Sequence, residues 1–367
     1  LQIKEKNHFK MKKVLITGIL GQDGSNMAEL LLELNSISRA REMSGNSKVY
    51  GMMRRSGSPN YTNIKNFRDN QDFELVDGDL SDSASIDNLV KKIQPDFLIN
   101  FGANSFVADS WNVPLSVLDV NTGGVVRCLE AIRKFKPDCR FYSAGSSEEF
   151  GDVDYNPQDI KHPVKPRSPY GASKAAARHM VKVYRESYDL YAVHSILFNH
   201  EGTRRGEEFV TRKITKKVAE IKHALDNNLS FKPLELGNVN SRRDWSDSKD
   251  FMRGVWLMLN QDEPKDYVLS SNETHSVKDF VSKAFAAASV PGLWSGEGMA
   301  EKFRLFQGNN VLAEINKKFY RPAEVDILHG DSTPIREELG WEPNISFDKL
   351  VESMVENDLA ILNRDLL

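Results

Sequence analysis

The chain carries only two cysteines, Cys128 and Cys139, in 367 residues. That excludes a disulfide framework and fits a reducing compartment. Neither C-x-x-C nor H-E-x-x-H occurs, so nothing in the sequence calls for zinc or another metal. No apolar run approaches the roughly 18 residues needed to cross a bilayer. A net charge of −3 gives no basic field for general nucleic-acid binding. Internal repeats and low-complexity tracts are missing as well. What remains is ordinary for a globular protein, 40% hydrophobic and 28% charged, in a chain long enough for two lobes. The expected setting is cytoplasmic, with neither membrane nor nucleic acid as partner. Residues 1–10 are polar, lack a secretory apolar core and read as an extension outside the fold.

The first half alternates short apolar runs with helical patterns, which predicts an α/β fold with a Rossmann-type, doubly wound parallel sheet. Candidate strands are Val14–Thr17, Val49–Met53, Phe73–Asp77, Phe97–Phe101 and Arg140–Ala144; candidate helices are Gly24–Leu34, Ser83–Ile93 and Thr122–Phe135. The Ser- and Arg-rich stretch Asn35–Lys48 reads as a surface insertion between first helix and second strand. After about Leu197 the alternation loosens, and the rest predicts a smaller, mostly C-terminal α/β substrate-binding domain closing over the first.

The run Val14-Leu15-Ile16-Thr17 leads directly into Gly18, Gly21 and Gly24. In a strand–turn–helix that holds a dinucleotide pyrophosphate, one glycine makes the tight turn. A second lets backbone approach phosphate, and a third lets helix pack on strand. An NAD site usually has an acid at the end of the second strand; here that strand ends in Arg54-Arg55, which suits the 2′-phosphate of NADP. Asp79 and Leu80, after the third strand, sit where such folds cradle adenine.

Tyr170 and Lys174 are four residues apart behind Ser168-Pro169, hence on one face of a helix. An ammonium beneath the phenol is expected to pull its pKa down toward working pH, as a base for a sugar hydroxyl requires. Upstream, the strand Phe141–Ala144 opens into Gly145-Ser146-Ser147-Glu148-Glu149. Ser146 is placed to hydrogen-bond the reacting oxygen. Glu148 adds a carboxylate able to move protons at a carbon the tyrosine cannot reach. Its neighbour Glu149 reads as a surface-loop acid.

Together the glycine turn and Y-x-x-x-K mark the extended, sugar-nucleotide branch of the short-chain dehydrogenase/reductases. The second half is more specific. Phe198-Asn199-His200-Glu201-Gly202-Thr203-Arg204-Arg205-Gly206, Phe209 to Ile214, Arg243-Asp244-Trp245 and Arg321-Pro322-Ala323-Glu324 closely resemble the signature of GDP-mannose 4,6-dehydratases. The similarity runs from Lys12 to about Leu350. It departs from the family at Ser146, where threonine is frequent, at Gly202-Thr203 in place of Ser-Pro, at Asn35–Lys48, and at Ser116, where an aromatic cofactor contact is usual.

The resemblance implies Ser146, Glu148, Tyr170 and Lys174 as catalytic. It implies NADP contacts at Gly18, Gly21, Gln22, Asp23, Gly24, Arg54, Arg55, Asp79, Leu80, Phe101, Gly102, Ala103, Ser105, His200 and Arg205, besides Tyr170 and Lys174. Substrate contacts fall on Asn199, Val210, Lys213, Arg243, Arg321 and Glu324, with Ser146 and Glu148. The implied division is an NADP-binding domain of 11–198 plus about 234–268, and a GDP-sugar domain of about 199–233 plus 269–367. The implied activity is dehydration of GDP-D-mannose. A GDP-manno-heptose substrate, a GDP-4-keto-6-deoxymannose reductase and an inactive NADP sensor are the rivals, and Glu148 favours a dehydratase. A homodimer or homotetramer is expected, with helix stripes Val125/Leu129/Ile132 and Ala176/Met180/Val183 as interface candidates and the loop Arg55–Asn60 near a neighbour's nucleotide.

Overall fold

In the computed structural model, which describes residues 11–40, 46–320 and 325–365, β1 (Lys12–Thr17) is an interior strand of a seven-stranded parallel sheet. To one side lie β2 (Ser47–Met53) and β3 (Phe73–Asp77); to the other lie β4 (Phe97–Asn100), β5 (Arg140–Ala144), β6 (Ala192–Leu197) and the short edge strand Val268–Leu269. Val14 stands in register with Val49 on one side and Phe97 on the other. Strand order therefore reverses between β1 and β4, which opens a crevice at their carboxyl ends, where open α/β sheets bind ligands.

Side chains alternate across the sheet. Val14 and Ile16 face a core built with helix α1 (Gln22–Ala40). Leu15 faces the opposite core, with α2 (Ser83–Ile93). The α2 helix is capped by Asp82, whose carboxylate accepts from Ala84 N, and it stops at Gln94 in the left-handed region. Beyond β4 the chain runs through α3 (Pro114–Leu118), a π-turn (Asp119–Gly123) and α4 (Gly124–Phe135) as one continuous helical stretch, so the helix expected from Thr122 begins at Pro114. Pro114 at its first turn starts it. After β5, α5 (Pro169–Tyr188) joins α2 and α4 on the second face.

Two more expectations change. The helix α1 does not end at Leu34 but runs to Ala40, which makes the start of the expected surface insertion helical; residues 41–45 lie outside the described residues. Asn35, buried, donates to Ser47 O and to Asp72 and accepts from Ser47 N, tying the helix to the start of β2. Of the two expected interface stripes, Val125, Leu129 and Ile132 are buried against the sheet. On α5, Ala176 and Met180 are half-buried and Val183 is 48% exposed.

The second half forms its own core from α6 (Val210–Asp226), α8 (Val277–Ala287), α10 (Phe347–Asp365) and a four-stranded sheet, Gly292–Ser295, Lys302–Leu305, Val311–Ile315 and Leu234–Leu236. In contrast, α7 (Ser248–Leu259) returns to pack on the large sheet, followed by α9 (Thr333–Leu339), which places Ile335 in that core. The expected assignment of all of 234–268 to the large sheet is thus corrected. Leu234, Leu236, Val239 and Trp245 belong to the second core because the alternation Leu-Glu-Leu pairs 234–236 with Ala313–Ile315. Among the described residues no helix is long and apolar enough to cross a membrane.

Candidate active site

At the crevice, Gly18 adopts φ +68°, and a Cβ there would lie 2.8 Å from Gly102 N. Only glycine satisfies both the left-handed turn and this approach. A Cβ on Gly24 would collide with the Gly18 carbonyl, so the first turn of α1 rests directly on the glycine turn. Thr17 locks the pair of strand ends, donating to Asn100 Oδ1 (2.6 Å) and accepting from Gly102 N (2.9 Å). The amino end of a 19-residue helix thereby faces a groove cleared of side chains, a site suited to a pyrophosphate. Gln22 Oε1 is buried there with no partner among the described residues. These features fit a dinucleotide.

Beneath the turn, Asp23 Oδ2 lies 2.9 Å from His200 Nε2 and Asp23 Oδ1 accepts from Ser248 Oγ (2.9 Å). Asn26 Nδ2 donates to the same Ser248 oxygen, and Gln22 Nε2 donates to His200 O. Burial alone would push the Asp23 carboxyl up, but His200, Arg205 and Ser248 together hold it well below its ordinary range. Burial likewise opposes the His200 cation, and Asp23 outweighs it, so the imidazole pKa is raised. Arg205 pairs with Glu201 at 2.9 Å and lies over the Phe209 ring at 3.5 Å. Farther out, Arg54 and Arg55 are exposed at the end of β2, Arg55 3.4 Å from Asp77. Leu80 is buried, and Asp79 accepts from Ser81 N and Oγ.

A cavity of about 320 Å³ runs from this crevice into the second lobe. It brings Ser146, Glu148, Tyr170 and Lys174 together with Asp23, Phe101, Ala103, Ser105, Asn199, His200, Arg205, Val210, Lys213 and Arg243. The other proposed cofactor contacts, Gly18, Gly21, Gln22, Gly24, Arg54, Arg55, Asp79, Leu80 and Gly102, do not line this cavity. Arg321 and Glu324 lie outside the described residues. Ser116 is exposed and accepts from Asn104 Nδ2.

Ser168 caps α5 by accepting from Gly171 N, and Pro169 fits its first turn. Gly171 has no room for a Cβ, because the Glu148 carbonyl abuts it. The start of α5 and the loop Ser146–Glu149 therefore sit in direct contact. Lys174 Nζ donates to Ala144 O at 2.7 Å and stands 5.8 Å from the Tyr170 ring centre. The expectation that lysine lowers the phenol pKa is corrected. Burial dominates and raises Tyr170 above its ordinary value; the Ser146 hydrogen bond is the largest opposing influence, followed by Arg205 against the raising effect of Glu148. Lys174 itself is pushed down to about 8 by burial, opposed by Glu149 and Asp23. Burial disfavours the ammonium, while the Ala144 carbonyl it donates to favours the charged form.

At the other end of the cavity, Lys213 donates to Glu235 O (2.6 Å) and covers the Phe319 ring at 3.4 Å. Arg243, buried, donates to Arg242 O. Asn199 Oδ1, Ser241 Oγ and Trp245 Nε1 are buried around this end without hydrogen-bond partners among the described residues. Such groups are costly unless a polar ligand meets them. Ser241, Trp245 and Phe319 are not among the site residues expected from sequence; Trp245 lies within a quoted motif, the nearest signal to any of them. The reading of Glu149 is also corrected. It is fully buried, not a surface-loop acid, because its Oε1 accepts from Ser146 N (2.9 Å) and lies 3.0 Å from buried His194 Nε2.

The switch-point crevice, the glycine turn and the Tyr170–Lys174 helix define a Rossmann-type protein of the short-chain dehydrogenase/reductase superfamily. A solved UDP-glucuronic acid 4-epimerase from Bacillus cereus shares the fold with a TM-score of 0.77 at 20% identity, covering 95% of this chain and 99% of that one. The chain matches the GDP-mannose 4,6 dehydratase family model over residues 15–354 and belongs to that family. It is 39% identical to the human GDP-mannose 4,6 dehydratase over 95% of this chain and 91% of the relative. With the Yersinia enterocolitica GDP-mannose 4,6-dehydratase the identity is 40%, over 95% and 94%.

Proposed function

We propose that this protein is an NADP-dependent hydro-lyase that converts GDP-D-mannose into GDP-4-keto-6-deoxy-D-mannose and water. The observation that carries the reading is the joint presence of Glu148 and the Ser146–Tyr170–Lys174 group in one cavity, within a chain of the dehydratase family. A bound NADP⁺ supplies the acceptor for hydrogen leaving C4 and the donor that restores it at C6.

Ser146 holds the C4 oxygen, and Tyr170 accepts the C4 hydroxyl proton. The phenol works against the cost of burial, which Ser146 offsets most directly. Lys174 keeps positive charge on the Ala144 carbonyl side of the site. Once C4 is a ketone, the C5 hydrogen is acidic, and Glu148 removes it. The same carboxyl returns a proton to the departing C6 hydroxyl, so one group serves both halves of the elimination. Return of hydride to C6 is completed by protonation of C5, balanced by the proton Tyr170 took from the C4 hydroxyl. Asn199, Lys213, Arg243 and the unpartnered Ser241 and Trp245 groups receive the nucleotide end, where cations offset two phosphates. Arg54 and Arg55 take the 2′-phosphate.

The proposed division assigns the dinucleotide to the large-sheet lobe, including α7 and Val268–Leu269, and the GDP-sugar to the lobe of α6, α8 and α10. A homodimer through the outer face of α5, at Met180 and Val183, completes the proposed assembly. Incubating the protein with GDP-mannose and NADP⁺ tests the reading. A 4-keto product without net cofactor consumption supports it; turnover only with NADPH and a keto-sugar indicates a reductase, and no turnover indicates a binding protein.

A further inference from the structure

Behind the catalytic loop lies a polar cluster that the mechanism above does not use. Glu149 and His194 are both fully buried, one at the end of the turn Ser147–Glu149 and the other in the middle of β6. Glu149 Oε1 lies 3.0 Å from His194 Nε2 and accepts from Ser146 N at 2.9 Å. The imidazole is held from its other side, with Nδ1 3.2 Å from Ser143 Oγ on β5. Ser146 in turn caps the turn with its own hydroxyl, which accepts from Glu148 N at 3.2 Å. One carboxylate oxygen thus joins β6 to the backbone of Ser146, and Ser146 joins that backbone to Glu148.

Two further observations bear on why this pair is present. Glu149 Oε2 is buried without a partner among the described residues, and a buried carboxyl with an unmet oxygen is a poor route to stability. The loop is also shaped around the pair: a Cβ on Gly145 would lie 2.7 Å from Glu149 Oε1 and would collide with His194 Nε2. Gly145, Ser146 and Glu148 line the cavity, while Glu149 does not.

The geometry points to Glu149, braced by His194, as a positioning residue that fixes where Ser146 and Glu148 present their side chains to the sugar. The inference rests on the dehydratase reading for its kinetic consequence, but the brace itself does not depend on that reading. A brace acting on both residues affects both the C4 and C5 steps, whereas loss of Glu148 alone affects the second. A loop displacement near 1 Å costs about 10²-fold in rate.

Three variants test it: Glu149→Leu removes the brace, Glu149→Gln keeps an Oε1 acceptor, and the double change Glu149→Leu with His194→Leu replaces the pair with apolar volume. The single Glu149→Leu change and the double variant are expected to lose kcat about 10²-fold, with KM for GDP-mannose and the NADP dissociation constant within about twofold. The Glu149→Gln variant is expected to recover most of the rate. Amide hydrogen exchange at Ser146 is expected to accelerate in both leucine variants and not in Glu149→Gln. Should Glu149→Leu misfold, the double variant carries the same reading, because apolar replacement of a buried pair is often tolerated. Unchanged kcat and unchanged Ser146 exchange in the leucine variants overturn the proposal, as does a Glu149→Gln variant as impaired as Glu149→Leu. If the unsubstituted protein makes no ketone from GDP-mannose, the dehydratase reading fails, while Ser146 exchange still decides the brace.

Discussion

Replacing Lys174 by methionine separates the demands of folding from those of chemistry. The lysine pKa falls from 10.5 to about 8 on burial. At 1.36 kcal/mol per unit, keeping its ammonium charged inside the fold costs roughly 3 kcal/mol of stability at pH 7. Methionine removes that cost but forfeits the donor to Ala144 O, a charged hydrogen bond of about 1.5–3 kcal/mol. At pH 7 the variant is therefore expected to match the parent or exceed it by up to about 1.5 kcal/mol, the difference of those two figures. The pH dependence is more diagnostic. Between pH 8 and 10.5 the unfolded lysine holds a proton that the folded one has lost, so the parent's stability contribution from this group rises with pH. Relative to the variant, the parent should gain roughly 2–3 kcal/mol from pH 7 to pH 10. Tyr170, shifted upward, stays protonated across that window in the folded state. Denaturant midpoints for both proteins at several pH values measure the difference. Stability curves that run parallel across the window would refute a desolvated ammonium at this position. Turnover in the variant should drop by about 10²-fold or more, and parent turnover should decline as pH rises through about 8, where the ammonium is lost.

Tyr170→Phe should retain NADP in a direct titration and lose about 10²–10⁴-fold in kcat; a loss below tenfold would remove the phenol from the reaction. Glu148→Gln should divide the steps, leaving a reduced-cofactor absorbance from C4 oxidation while water loss stalls. Equal loss of both steps makes Glu148 a binding group instead. Arg54→Ala with Arg55→Ala should weaken NADP by about 1.5–3 kcal/mol per lost phosphate contact and leave NAD nearly unaffected. A parent protein that prefers NAD in the same titration contradicts the cofactor assignment.

The parts of the molecule legible in the sequence are those encoded locally. The strands Phe73–Asp77 and Arg140–Ala144 and the helix Ser83–Ile93 emerge with the expected bounds, since each is a short periodic run between clear breakers. Ser146, Glu148, Tyr170 and Lys174 are legible because spacing on one turn and one helix carries their relation. The end of α1 is not. The segment Asn35 to Ala40 has weak helix formers, and it is held by Asn35's bonds to Ser47 and Asp72 and by the pairing of Arg39 with Asp72. Glu149 is obscured for the same kind of reason. Its partner His194 is 45 residues away and becomes a neighbour only when β5 and β6 pair. The edges of the second lobe are hidden by three- to five-residue strands whose pairing depends on non-local register.

A reaction that ends with its cofactor in the state in which it began gains nothing from letting that cofactor go. The Asp23–His200–Ser248 cluster addresses this directly, since it ties the glycine turn to the segment after β6 and to the first turn of α7. Separating these segments breaks a contact in which Asp23 favours the charged imidazole and His200 favours the charged carboxyl. Three side chains contributed by distant parts of the sequence meet in this contact. The same contacts seat the amino end of α1 against the first turn of α7.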